Sequence, residues 1–200
     1  MVINIKGLMM KFYFEDVKID SESVQDYFQK IPFVIRDGPK SFIEISGIYL
    51  PECDENWFPT WMNKINGFPL YLFIEVEDYI NKEFNLFCTQ YSFELQNFDK
   101  EGKFKIIEIE NAEKFKQMFS LAITISCAGA LVLWSTHRNI FFGQNSPNNK
   151  QIQILENQSI FVIGHDCEYM LILSNDPNFK NTEEMSKTFP KGTDSKGNIE

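Results

Sequence analysis

Short apolar or alternating segments, joined by brief connections, are the feature that most constrains the fold of this chain. Nine of them have the length and period-two pattern of β-strands. Parallel neighbours need crossovers of a dozen or more residues, and most of these connections are shorter. The sequence therefore predicts a mainly antiparallel sheet. The predicted strands are residues 11–17, 41–50, 69–77, 87–95, 103–110, 131–135, 139–142, 159–163 and 169–173.

Two or three helices are predicted to pack on one face of this sheet. The strongest begins after Asn111, which can accept a hydrogen bond from the first turn, and stops at Gly129. A second is expected over residues 20–31, because apolar side chains recur there at helical spacing before Pro32. A brief helical stretch is expected within residues 51–67. The fold class is therefore α+β.

The chain has 200 residues, a 44% hydrophobic fraction and 20 phenylalanines, enough for one core without staples. We expect a single domain over residues 1–180. A weakly ordered polar tail is expected over 181–200, where no periodic apolar pattern continues. There is neither an 18-residue apolar stretch nor a signal-peptide cleavage pattern, which favours a cytoplasmic protein with no membrane segment. The composition is typical of an AT-rich bacterial genome.

The four cysteines predict neither a metal site nor a redox motif. Cys53, Cys88, Cys127 and Cys167 are about 40 residues apart, and no pair forms a CxxC. In a chain with an ample core and no signal peptide, we expect reduced, buried thiols. The sequence predicts no cofactor and no bound metal.

Common catalytic signatures are also missing from the sequence. There is no glycine-rich phosphate loop, GxSxG or HExxH pattern. One alternative remains: a hydrolase or transferase with Cys167 as nucleophile, activated by His165 across Asp166. The simpler interpretation is a polar turn followed by a core cysteine. His137 is interpreted as a solvated turn residue.

Carboxylates at alternating strand positions leave a second catalytic alternative open. Glu75 and Glu77, and likewise Glu108 and Glu110, would each share a face of their strand. Two carboxylates at this spacing can serve acid–base or divalent-cation chemistry. More often such pairs line the solvated face of a half-covered sheet.

Charge is strongly concentrated in the middle of the chain. Between Asp37 and Asp99 there are eleven acidic residues and three lysines, a balance of −8 out of a total of −9. The same stretch carries Trp57 and Trp61. An acidic surface repels nucleic acid and anionic membranes and attracts basic proteins. Tryptophan is enriched at interface hot spots, although the two indoles could equally be core residues.

These observations favour a non-enzymatic bacterial binding protein whose partner is a basic protein, with no role for nucleic acid or membrane. An immunity or antitoxin protein that neutralises a nuclease toxin would fit; a phage or mobile-element accessory protein is a further alternative. The sequence leaves the oligomeric state open. The predicted partner-binding residues are Glu52, Asp54, Glu55, Trp57, Trp61, Glu75, Glu77 and Asp78.

Overall fold

A computed structural model describes most of the chain. It covers residues 2–5, 8–11, 13–17, 33–36, 39–47, 49–98, 102–138, 141–143, 150–190 and 193–194. The helix expected over residues 20–31 lies outside these ranges.

The described residues form fourteen strands and four α-helices. The helices are α1 (Trp57–Lys64), α2 (Asn81–Gln90), α3 (Ala112–Cys127) and α4 (Thr182–Lys187), with short 3-10 helices at Leu50–Glu52, His165–Cys167 and Pro177–Phe179. The strands are β1 (Val2–Ile5), β2 (Leu8–Lys11), β3 (Tyr13–Asp16), β4 (Phe33–Arg36), β5 (Ser41–Ser46), β6 (Leu70–Glu75), β7 (Leu95–Asn97), β8 (Phe104–Ile109), β9 (Val132–Ser135), β10 (Phe141–Gly143), β11 (Lys150–Gln153), β12 (Ser159–Ile163), β13 (Met170–Ser174) and β14 (Thr193–Asp194).

Eight strands form one antiparallel sheet, in the order β3-β5-β13-β12-β9-β6-β8-β7. Every pairing between neighbours in this sheet is antiparallel. With the helices packed against it, the sheet confirms the predicted α+β class. Two three-stranded sheets, β14-β1-β2 and β10-β11-β4, accompany it. The short connection over residues 136–138 predicts a hairpin between the strands expected at 131–135 and 139–142. This prediction is wrong, because β9 pairs with β12 and β6 while β10 pairs with β11.

Both faces of the large sheet are buried. Several of its strands carry apolar side chains at successive positions, and successive side chains point to opposite faces of the sheet. One face belongs to a large aromatic core to which α1 and α3 also contribute, and these two helices contact each other. Its centre holds Trp61, Trp134 and Phe161, with the Trp134 and Phe161 rings stacked at 5.4 Å. The opposite face buries a smaller cluster that includes Phe73, Leu133 and Val162.

Helix α3 begins and ends at the residues that the sequence indicated. The side-chain oxygen of Asn111 accepts a hydrogen bond from the Lys114 backbone N–H at 3.0 Å. At the other end Gly129 has φ +90°, a conformation that favours glycine. Local capping chemistry therefore fixes both ends of this helix.

The strand expected over residues 87–95 is wrong. Residues 81–90 form α2, and only Leu95–Asn97 are extended. Phe84, Cys88 and Tyr91 recur at helical spacing on the inner side of α2, and this periodicity prevails over the alternation of aromatic residues farther along. Ser92, with φ +57°, turns the chain into β7.

Residues 181–190 are folded, in contrast to the weakly ordered tail expected from Asn181 onward. The Asn181 side chain caps α4 by accepting from the Glu184 N–H. Met185 and Phe189 are buried in the main core. The Thr182 N–H and hydroxyl donate to Asp16 on β3, at 2.9 and 3.2 Å. Residues 181–190 are therefore held against the rest of the fold by two buried apolar side chains and by the hydrogen bonds to Asp16.

Candidate functional site

Two of the predicted partner-binding carboxylates, Glu75 and Glu77, are paired within the chain. Lys103 binds Glu75 at 2.7 Å and Glu77 at 3.1 Å, and these hydrogen bonds raise the pKa of its amine above the ordinary value. Glu75 also accepts the Leu131 N–H at 3.1 Å. This arrangement ties the exit of β6 to the start of β9, so the pair has a structural use and much of its negative charge is offset.

The predicted site residues before α1 are only partly available. Glu55 forms an ion pair with Lys116 of α3 at 3.0 Å. Asp54 accepts hydrogen bonds from the backbone and side chain of Asn56, at 2.8 and 3.0 Å, and so turns the chain into α1. Glu52 ends the 3-10 helix Leu50–Glu52. Of these, Asp54 carries a partly exposed carboxylate that is hydrogen-bonded but has no described ion pair.

Trp57 and Trp61 are core residues. Their exposed fractions are 8% and 0%. The Trp61 indole N–H donates to the Thr188 hydroxyl at 2.7 Å, and the two indoles contact each other at 5.1 Å. Helix α1 carries so much apolar area that it must turn these rings inward. The expectation that they are surface anchors is therefore corrected.

The exposed apolar side chains of the acidic segment are different ones. Among the described residues of this segment, Tyr49 is 48% exposed, Tyr79 is 68% exposed and Leu86 is 61% exposed. Asp78, a predicted site residue, is exposed beside Tyr79, and Glu83 lies between Tyr79 and Leu86 in sequence. The sequence analysis missed Tyr79, Glu83 and Leu86 because it predicted a strand over residues 87–95 and so did not recognise α2. A helical projection would have placed Leu86 opposite Phe84.

The proposed thiol nucleophile is not available in this structure. Cys167 is fully buried and forms a disulfide with Cys127 at the end of α3, with 5.5 Å between the Cα atoms. The expectation of reduced thiols is therefore wrong for Cys127 and Cys167. These cysteines are 40 residues apart in sequence, but the connection between β12 and β13 brings Cys167 against α3. His165 begins the same 3-10 turn, and both Asp166 and Cys167 have positive φ. Cys53 and Cys88 are not part of this disulfide, and burial raises the pKa of Cys88 to about 11, as expected of an inert thiol.

His137 lies in the bend after β9 and is half-buried, where the prediction had a solvated turn residue. Its Nδ1 shares a hydrogen bond with the Thr136 hydroxyl at 3.1 Å. Nearby on β6, burial and then the charge of Glu108 raise the pKa of Tyr71, against the opposing effect of Arg138. Arg138 donates to the Gln96 side chain at 3.3 Å. These contacts stabilise the bend after β9, and none of them places a catalytic base beside a nucleophile.

Buried hydroxyls form a row across one end of the sheet. Ser41, Ser174 and Ser159 are register partners on β5, β13 and β12. The Ser159 and Ser174 hydroxyls are 2.7 Å apart, and Ser41 donates to the Phe179 carbonyl at 2.5 Å. On the next strand, Ser135 accepts from the buried Gln158 amide at 2.8 Å. Each hydroxyl has a partner, which is the state that stabilises a buried polar group. The row is therefore structural.

The described part of the chain contains no group of three or more His, Cys, Asp or Glu residues that could hold a metal ion. Within the same part, none of the helices has the length and apolar character needed to cross a membrane.

Comparison with known proteins found no relative of this chain. No protein-family model, no curated protein and no solved structure matches it.

Proposed function

We propose that this chain is a non-enzymatic binding protein that neutralises a basic partner protein, in the manner of an immunity protein acting on a nuclease toxin. The observation that supports the proposal is the surplus of carboxylates in the middle of a chain of net charge −9. Such a field accelerates encounter with a positive partner and repels nucleic acid and anionic membranes.

The pairings in the structure change which carboxylates we assign to this role. Lys103 and Lys116 offset Glu75, Glu77 and Glu55. The proposal therefore rests mainly on Asp54, Asp78 and Glu83, which have no ion pair among the described residues. Asp54 begins α1 and the other two flank the start of α2.

Charge reversal at these three positions tests the proposal. A tagged chain is used to capture its partner from the source organism, with the product of the neighbouring gene as the first candidate. Affinity for that partner is then measured for D54K/D78K/E83K and for the control E110K/E156K/E168K. Both variants change net charge equally, and all three control residues are exposed.

We expect the first variant to lose roughly a hundredfold or more in affinity, because coupling across close charge pairs amounts to several kcal/mol. The control should lose much less. Equal loss in both variants, or a captured partner with an acidic surface, would contradict the proposal.

The compartment is part of the proposal. The sequence favours a cytoplasmic protein, whereas the Cys127–Cys167 disulfide is a feature more common in oxidising compartments. Alkylation of thiols in freshly lysed cells, followed by mass spectrometry, distinguishes the two. A cytoplasmic location predicts a substantial fraction of reduced Cys127, and an oxidising compartment predicts almost none.

A further inference from the structure

Helix α2 presents opposite sides to the core and to solvent. Its inner side buries Phe84 and Cys88, each 1% exposed. Leu86 follows Phe84 by two residues, which places it about 200° around the helix, on the outward side. It is 61% exposed there.

A second exposed apolar side chain comes just before the helix. Tyr79 lies in a turn that leads into α2 through hydrogen bonds from Ile80 N to Glu77 O (3.0 Å) and from Phe84 N to Ile80 O (2.9 Å). Its exposed fraction is 68%. Of the four large hydrophobic residues exposed in the described chain, Tyr79 and Leu86 are the two that lie close in sequence. The two exposed apolar side chains therefore lie just before the helix and in its middle, seven residues apart in sequence.

Acidic groups flank both apolar side chains. Asp78 is adjacent to Tyr79, and Glu83 precedes Leu86 by three residues within α2, a spacing that makes these two residues neighbours on the helix surface. Lys82 precedes Leu86 by four residues and is exposed on the same side of the helix, so two acids face one lysine there. We call Asp78, Tyr79, Glu83 and Leu86 the α2 outer face.

We propose that the α2 outer face is the docking surface for a cationic amphipathic helix of the partner protein, an inference that rests on the proposed function. Leucine-like residues of that helix contact Tyr79 and Leu86, and its lysines or arginines pair with Asp78 and Glu83. Apolar anchors surrounded by complementary charge are a common composition of interface centres.

The charge of the surface selects this occupant over two others. A second copy of the chain would bring the same two acids and one lysine into a two-fold contact, so the acids of the two copies would outnumber the lysines that can pair with them, which costs affinity. Nucleic acid and anionic membranes are repelled by the same carboxylates.

The inference is tested with a helical peptide of about 18 residues, five turns, that has leucine on one face and lysine on the other. Two matched peptides serve as controls: one with glutamate in place of lysine, and one with the lysine and leucine order scrambled. Binding to the intact protein is followed by fluorescence anisotropy. The variants are Y79A/L86A, D78K/E83K and the control Y49A, which removes another exposed tyrosine.

We expect the cationic peptide to bind the wild-type protein and Y49A alike, and the other two variants to weaken binding by roughly tenfold or more. Equal affinity for the scrambled or anionic peptide would overturn the inference. So would self-association of the wild-type protein, seen by sedimentation, that Y79A/L86A abolishes, because the face would then hold a second copy.

The same variants separate this inference from the proposed function. If the natural partner binds the wild-type protein and Y79A/L86A equally well, the docking surface is wrong and the binding function remains. If no basic protein or peptide binds the wild-type chain, both proposals fail.

Discussion

Helices α1 and α2 come from the same acidic, aromatic stretch of the chain, yet they relate to the core in opposite ways. Five of the eight residues of α1 are buried: Trp57, Phe58, Pro59, Trp61 and Met62. In the ten residues of α2 the buried ones are Phe84 and Cys88. The first helix packs against α3 and reaches the sheet through Trp61 and Phe161, whereas the second exposes Leu86 and follows an exposed Tyr79.

This difference teaches that composition does not identify an interface. Tryptophans in an acidic segment resemble a recognition patch, but their large apolar area drives them into the core first. The side chains left at the surface are those that the periodicity of the helix turns outward. A binding hypothesis therefore has to start from the helical projection and only then consider residue type.

Trp61→Ala should have the largest effect. Removing a buried indole leaves a cavity and removes the N–H that donates to the Thr188 hydroxyl, so we expect a loss of about 4 kcal/mol in the free energy of unfolding. Chemical denaturation measures it. Trp61→Phe, which keeps most of the apolar volume, should lose about half as much or less. A loss below 1 kcal/mol for the alanine variant would mean that α1 is not part of the core.

Removal of the disulfide should come next. It closes a loop of 40 residues between α3, on which α1 packs, and the turn after β12. On chain-entropy grounds its loss costs about 4 kcal/mol at most, and less if the unfolded state retains structure. Cys127→Ser, compared with Cys53→Ser as a control at a cysteine outside the disulfide, measures this by denaturation. Hydrogen exchange should accelerate in α3 and α1 more than in α2, and the reverse order would contradict the packing described above.

The buried side of α2 should show a pH effect at Cys88. Since burial raises its pKa to about 11, the folded state keeps the thiol proton that the unfolded chain loses near pH 9. The free energy of unfolding should therefore fall as pH rises from about 9 to 11. Other groups titrate there too, so the measured quantity is the difference in slope between the wild-type protein and Cys88→Ala. Identical slopes would show that the thiol is not desolvated.

Leu86→Ala should have the smallest effect on stability. An exposed leucine on the outer side of a helix contributes within about 0.5 kcal/mol. Denaturation midpoints of the variant and the wild-type protein should coincide, even where binding of the cationic peptide is lost. A loss above 1 kcal/mol would place Leu86 in a packed position and remove the contrast with Trp61.

Local signals in the sequence predicted much of the fold. Asn111 and Gly129 bound α3 correctly because capping and positive φ depend on single residues. The apolar runs from Leu70 to Ile74 and from Ser159 to Ile163 gave strands in the expected places. Antiparallel pairing followed from the shortness of the connections.

The errors arise where two patterns compete or where partners are distant in sequence. Residues 84–95 carry both helical and alternating periodicities, and burial of Phe84 with Cys88 decides for the helix. Nothing in the sequence pairs Cys127 with Cys167, because their contact depends on how β12 and β13 lie against α3. For the same reason Lys103 and Lys116 could not be assigned in advance to the carboxylates that they bind.

The strand order has a consequence for how the chain acquires its structure during synthesis. Strand β5 pairs with β13, and β6 pairs with β9, so strands made early complete the sheet with strands made late. Closing such long loops is slow, and unpaired strand edges are exposed in the meantime. A ribosome must therefore reach Ser174 before the sheet can close around β5, and the nascent protein depends until then on its acidic residues, or on a chaperone, to avoid aggregation.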